Sequence, residues 1–201
     1  MKSAKQALSE LKEGNKRYIS GEAKSRSHES IRRETAGGQQ PFAIILGCSD
    51  SRVPAELVFD QGVGDLFVIR VAGNIVAPSQ IGSVEFAAEQ FGTPLVVVLA
   101  HSKCGAVEAT INELNRPSEN RSPNLKAIVD RVQPSVQTLM EANPNLDGDL
   151  LLHHAVRANC RASAYQLRHG SRILEQLIDE GTLEVVAAEY DLVSGVVEFF
   201  D

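Results

Sequence analysis

The chain has 201 residues, of which 43% are hydrophobic and 23% charged; that is one domain at the usual ~100–200 residues each, in ordinary globular proportions. Against 26 Asp and Glu stand 20 Lys and Arg, a formal charge of −6, so there is no basic footprint for nucleic acid, and three cysteines exclude a disulfide-stapled secreted scaffold. The longest wholly apolar run, Leu95 to Ala100, is far short of the ~20 residues that cross a bilayer, and MKSAKQALSELKEG lacks the apolar stretch of a signal peptide; the expectation is a cytoplasmic protein of one domain, 1–201, with no membrane and no nucleic acid among its partners.

In chain order, residues 3–18 read as an amphipathic helix that Ser3 can cap, with Ala4, Ala7, Leu8 and Leu11 at helical spacing and Gly14-Asn15 ending or interrupting it. Residues 20–40 are polar and show no apolar face, so an extended surface segment is expected there. Residues 42–47 and 66–70 are short apolar runs of the kind found in buried parallel strands. A helix follows over 79–91, stopped by Gly92 and Pro94, then a strand over 95–100 and a helix over 104–114. Residues 115–124 read as a loop, 125–141 and 149–179 as helices, the second bent or broken at Gly170, and 183–188 and 193–200 as late strands, the last at a sheet edge. Alternating strands and helices predict an α/β domain: a mostly parallel central sheet flanked by helices.

The cysteines then divide. Cys48 follows the strand 42–47; His101 follows the strand 95–100, with Cys104 three residues on. In open α/β sheets ligands bind outside the carboxyl ends of strands, so two Cys and one His are expected to converge at one crevice. Gly105 allows close backbone approach beside them. Two thiolates and an imidazole suit zinc, and three protein ligands with a fourth position open is the catalytic pattern. Taken singly each is as readily core filler; it is the matched strand-end placement that raises them together. Asp50, two residues past Cys48, can coordinate such a metal or pair with Arg52, two competing uses of one carboxylate. Cys160 reads as a buried structural thiol. His153-His154, adjacent on a helix, make a poor metal pair, and Arg157, Arg161, Arg168 and Arg172 read as a solvated or interface face.

CSDSR (48–52) with HSKCGA (101–106) resembles the β-class carbonic anhydrases. The resemblance extends through LKEGNKRY (11–18), GQQP (38–41), FDQGVGDLFVIRVAGN (59–74) and GSVEFAAEQFGTP (82–94), and is loose after residue 115. It implies zinc held by Cys48, His101 and Cys104, an Asp50–Arg52 dyad beside it, and reversible hydration of CO2 to bicarbonate and a proton by zinc-bound hydroxide. It further implies Gln39 as a substrate contact, and Phe67 and Phe86, with Ala72, lining an apolar CO2 pocket to which Gly105 also belongs. Without the family Phe67 and Phe86 read as plain core. A homodimer or homotetramer is implied, with the pocket formed between subunits and an N-terminal arm, 1–40, embracing the partner. Asp50 leaving Arg52 for the metal, as its fourth ligand, would give a closed state favoured at lower pH. Some members carry a regulatory bicarbonate site that pairs a Trp with an Arg and a Tyr; Arg70 and Tyr190 match, but Ile45 stands where the Trp belongs, so that site is not expected. Two alternatives stay open: a carbonyl sulfide or carbon disulfide hydrolase on the same zinc, and a non-catalytic zinc-binding regulatory protein.

Overall fold

The computed structural model describes residues 2–24, 28–116, 122–146 and 148–200. Its centre is a five-stranded sheet in the order β2-β1-β3-β4-β5. The strands are β1 (Ala43–Gly47), β2 (Leu66–Arg70), β3 (Leu95–His101), β4 (Glu184–Tyr190) and β5 (Val197–Phe200). The first four are mutually parallel, and β5 closes one edge antiparallel to β4. β1 and β3, the two runs without a polar interruption, are buried at every residue, as strands covered on both faces must be. β2, at the edge, is only partly buried.

The two faces are covered unequally. On one lie α4 (Pro78–Phe91), α5 (Gly105–Asn115), α6 (Pro123–Ala142), α7 (Gly148–His169) and α8 (Arg172–Asp179), packed through residues such as Val84, Val107, Val132, Val156 and Leu174. On the other lie α1 (Ala4–Ser20) and the short α3 (Ala55–Val58), packed through Ala7, Leu11 and Val58. The chain leaves β1 toward β2 on one side and reaches β3 on the other. The carboxyl ends of β1 and β3 therefore flank the point where the strand order reverses, which is where open α/β sheets bind ligands. Among the described residues no helix is long and apolar enough to cross a membrane.

Several elements differ from the sequence expectation. α1 begins as predicted, with a Ser3–Gln6 capping box, but Gly14-Asn15 does not interrupt it. A side chain at Gly14 would overlap the Phe59 carbonyl oxygen, so the glycine is there for close approach of α1 to the end of α3. Asn15 bonds the carbonyls of Val58 and Gly195 and the amide of Val197. The segment 20–40 is not extended throughout: α2 (His28–Thr35) lies within it, with Ile31 and Thr35 half-buried one turn apart. Residues 25–27 fall outside the described residues, as do 117–121 of the expected loop. Gly170 does break the long helix, into α7 and α8. The last strand is shorter than 193–200, because the Asp191 carboxylate accepts from the amides of Val193 and Ser194 and folds that stretch into a turn.

Candidate metal centre

Cys48 leaves β1, His101 ends β3, and Cys104 caps the amino end of α5. All three are buried, with His101 fully so, and their ligand atoms lie within 4.8 Å of one another. The His101 Nδ1 lies 2.9 Å from the Ser102 carbonyl oxygen. A carbonyl only accepts, so Nδ1 carries the proton and Nε2 presents a lone pair. That Nε2 is buried with no hydrogen-bond partner, a costly arrangement unless something else occupies the lone pair. Lys103, between the two ligands on this turn, sits at φ 55, a backbone conformation that non-glycine residues hold only where the surroundings impose it.

The two thiols titrate as a pair. The Cys104 sulfur, then His101 and the Gly73 and Asp50 amides, hold Cys48 well below the usual thiol range, to about 4 against the pull of burial. The resulting thiolate, together with burial, pushes the Cys104 thiol far up. Burial disfavours a charged His101, but the Cys48 sulfur and the Asp50 carboxylate outweigh it and raise the imidazole. A second thiolate beside the first is therefore unfavourable until a cation neutralises both. A divalent ion that favours sulfur and nitrogen would satisfy every member: it would offset the charge of two thiolates and accept the Nε2 lone pair. Zinc fits this donor set.

The loop after Cys48 is rigidly held. Arg52 donates from Nε to Asp50 Oδ1 at 2.9 Å, from Nη2 to Oδ2 at 2.6 Å, and from its backbone amide to Oδ1 at 3.0 Å. This fork keeps the Asp50 carboxyl far below the usual carboxylate range. Asp50 Oδ2 still lies 3.8 Å from His101 Nε2, at the mouth of the ligand group. Arg70 donates from Nε to the Cys48 carbonyl at 3.0 Å and from Nη2 to the Asp50 carbonyl. The Gly73 amide donates to Cys48 Sγ at 3.4 Å.

The carbonic anhydrase family model matches residues 43–197. This chain belongs to the β-class carbonic anhydrases. It is 37% identical to a carbonic anhydrase of Mycolicibacterium smegmatis over 94% of this chain and 89% of that one, and 36% identical to carbonic anhydrase 2 of Mycobacterium tuberculosis over 92% and 87%. Among solved structures it is similar to the β-carbonic anhydrase CcaA, with a TM-score of 0.78 and 26% identity over 96% of this chain and 87% of that one.

The remaining residues expected of a β-carbonic anhydrase site separate into two places. Ala72 adjoins Gly73, beside Cys48, and is half-buried. Gly105 opens α5 next to Cys104, and a side chain there would meet nothing within 4 Å, so the space above it is free. Gln39, by contrast, is exposed and precedes the amino end of β1. Phe67 pairs in register with Ile44, near that same end. With Phe86 and Phe91 of α4 it forms an aromatic cluster, centroids 5.6–6.2 Å apart, and Phe86 is 51% exposed. Cys48 lies four residues beyond Ile44, ~13 Å along the strand. One chain thus does not bring Gln39, Phe67 and Phe86 to its own Cys48–His101–Cys104 group.

Ile45 is fully buried in the sheet. Arg70 grips loop carbonyls, and the Tyr190 hydroxyl lies 3.2 Å from that of Tyr18, so the two groups that match a regulatory anion site are engaged within the chain. Cys160 is a core thiol as expected, donating to the Val98 and Ala188 carbonyls, with burial pushing it up to about 12. Ser102, Arg70 and Gly73 were not singled out as parts of the metal site by sequence reasoning. Each acts through a backbone group or on one, and residue type carries no signal for that.

Proposed function

We propose that this chain catalyses the reversible hydration of CO2 to bicarbonate and a proton, on zinc held by Cys48, His101 and Cys104. The observation that carries the reading is a buried two-thiol, one-imidazole group with a bare Nε2, facing a carboxylate clamped by arginine. Zinc, when bound, supplies the Lewis acidity that makes coordinated water reactive. Three protein ligands leave one tetrahedral position for reaction. Asp50, held anionic by Arg52, accepts a hydrogen bond from the attacking group and aims its lone pair at CO2. Arg52 also restrains Asp50 from taking the fourth position itself. If that pairing opened, the Asp50 carboxylate, whose Oδ2 lies 3.8 Å from His101 Nε2, would itself be able to serve as a fourth ligand, a closed state favoured at lower pH. Stopped-flow CO2 hydration beside a carbonyl sulfide assay tests the reading. Hydration by the zinc-loaded parent supports it; full zinc occupancy with no hydration at alkaline pH, or turnover of carbonyl sulfide alone, overturns it.

We further propose that the working unit is a homodimer or a tetramer built from it. The separation of Gln39, Phe67 and Phe86 from the metal group of their own chain supports a pocket assembled from two copies, as does an aromatic cluster half-open to solvent. In this arrangement Phe86 and Phe67 wall an apolar space above the partner's metal, and α1 and the 20–40 segment lie along the partner. The two ligand thiols require a reducing compartment, consistent with the cytoplasm.

A further inference from the structure

The turn Ala72–Asn74 is strained and held from one side. Gly73 has φ 70 and Asn74 φ 43, two consecutive left-handed residues of which only the first is a glycine. Gly73 is also crowded: a side chain there would come within 3.1 Å of the Ala106 Cβ and 3.5 Å of Val132 Cγ2. Ala106 is in the first turn of α5, two residues past Cys104. The turn is therefore wedged between the two segments that carry the sulfur ligands. Such a conformation persists only where its surroundings over-determine it.

Besides the Asn74 N–H to Val71 carbonyl bond within the segment, the constraint comes from α7. Asn159 Nδ2 donates to the Gly73 carbonyl at 2.8 Å, and Ser163 Oγ donates to the Asn74 carbonyl at 3.0 Å. The two stand four residues apart on one face of the helix and are 2% and 5% exposed. Their helix neighbours on the buried side, Ala155, Val156, Cys160, Ala164 and Leu167, pack into the apolar core. Polar groups in such a position cost stability unless bonded, and these two bond the turn carbonyls. The Gly73 carbonyl lies in the Gly73–Asn74 peptide unit, whose N–H donates to the Val71 carbonyl at 3.0 Å; with that unit held, Gly73 at φ 70 and ψ 18 sets the preceding Ala72–Gly73 unit, whose N–H points at Cys48 Sγ at 3.4 Å.

We propose that Asn159 and Ser163 are positioning residues for the metal: by holding the peptide units that follow Gly73 they keep the Gly73 N–H, one unit back, on the Cys48 sulfur and so limit how much charge that thiolate gives to zinc. The inference rests on Cys48 being a ligand and goes beyond it. An N–H···S bond draws electron density off sulfur, and in a buried setting its effect is larger than in water. Groups that orient or polarise a ligand without touching the metal typically change its affinity 10–100-fold. The reach is long in sequence, 86 and 89 residues from clamp to turn, yet short in space.

The test uses the full-length protein loaded with Co2+, whose thiolate-to-metal charge-transfer absorption reports sulfur donation directly, together with zinc affinity by chelator competition. Asn159→Leu, near in size but without the donor, is expected to move the charge-transfer band to longer wavelength, as a thiolate that has lost its N–H donates more, and to change zinc affinity about 10–100-fold. Ser163→Ala, the milder variant, should move both in the same direction by less, and keeps the test alive if Asn159→Leu does not fold. Ser163→Thr, which retains the hydroxyl, should restore the parent spectrum. Cys160→Ala is the structural control. It opens a space in the same helix away from the turn, and should lower Tm while leaving the band in place. A folded Asn159→Leu and Ser163→Ala with the parent's band and zinc affinity would reduce the clamp to packing and overturn the proposal. A parent protein with no thiolate band at all would instead remove Cys48 as a ligand, and the proposal with it.

Discussion

The two ends of the sheet are built to different standards. At the carboxyl end, Cys48, His101 and Cys104 are buried, the imidazole tautomer is set by one carbonyl, and the Asp50 loop is gripped by Arg52 and Arg70. Everything there is over-determined by the chain itself. At the amino end, Gln39 is exposed and Phe86 leaves half its surface in solvent. The contrast teaches that one chain assembles the three candidate ligands and the Asp50 clamp by itself, while Gln39 and Phe86 are displayed outward, as the proposed pocket between copies requires.

The largest effect should come from the closed end. Cys48→Ser or Cys104→Ser removes one of the two thiolates, and the donor nearest to the group, Asp50, is held by Arg52. Zinc content by atomic absorption is expected to fall to background, with hydration lost; a Cys104→Ser protein that keeps stoichiometric zinc would break the assignment. Asp50→Asn keeps the shape but not the charge. Zinc should stay bound while CO2 hydration drops about 10²–10⁴-fold, the range for removing a positioned proton acceptor. In the parent, hydration should rise toward mildly alkaline pH, because two thiolates already neutralise the ion and leave it a weaker acidifier of water than one held by neutral histidines; a flat profile from acid to alkaline pH would contradict this.

At the open end, Phe86→Glu places a charge in the proposed interface. The expected outcome in sedimentation analysis is a smaller species that retains zinc and loses most hydration; an unchanged assembly at full activity would argue against the pocket between copies.

The smallest effect concerns a second carboxylate at the carboxyl end, away from the metal. Glu189 is buried on β4, its Oε1 lacks a hydrogen-bond partner, and His153 Nδ1 lies 3.7 Å and Arg157 Nη1 3.6 Å from the carboxylate. Burial raises its carboxyl against the pull of His153 and Arg157. The sign is opposite to that of Asp50. A carboxyl raised on folding contributes stability that is complete below its unfolded value and is lost as pH rises through the folded one, whereas the stability Asp50 gains from Arg52 is present above the ordinary carboxylate range and lost toward strong acid. Glu189→Gln should therefore raise Tm at about pH 8 and change nothing near pH 4; calorimetry that finds the variant less stable at the higher pH would show that the ion pairs outweigh burial.

The sheet was legible in the sequence because β1 and β3 are buried on both faces and so carry unbroken apolar runs. The helix α2 was not, because Ile31 is its lone large apolar residue and composition cannot distinguish one anchored turn from an extended tether. Gly14 was misread for a related reason: a glycine that ends a helix and one that lets a helix approach a carbonyl look alike until the Phe59 backbone is in place. In the site, Cys48, His101 and Cys104 were readable from strand-end placement, and Asp50 with Arg52 from adjacency. Arg70 and Gly73 were not, since they act on Cys48 from 22 and 25 residues away through backbone groups. Gln39 and Phe86 enter the proposed site through resemblance alone, as nothing in residue type marks them for it.

Mixing two inactive chains tests the shared site most directly. A Cys48→Ser chain lacks the metal but keeps Gln39 and Phe86; a Gln39→Ala, Phe86→Ala chain keeps the metal but lacks the pocket groups. If each site takes its metal from one copy and its pocket from the other, every mixed dimer contains one intact site. Random reassortment then restores about a quarter of parental CO2 hydration, the statistical share for a two-fold dimer. No recovery on verified formation of mixed dimers would mean that metal and pocket belong to the same chain, and would contradict the account.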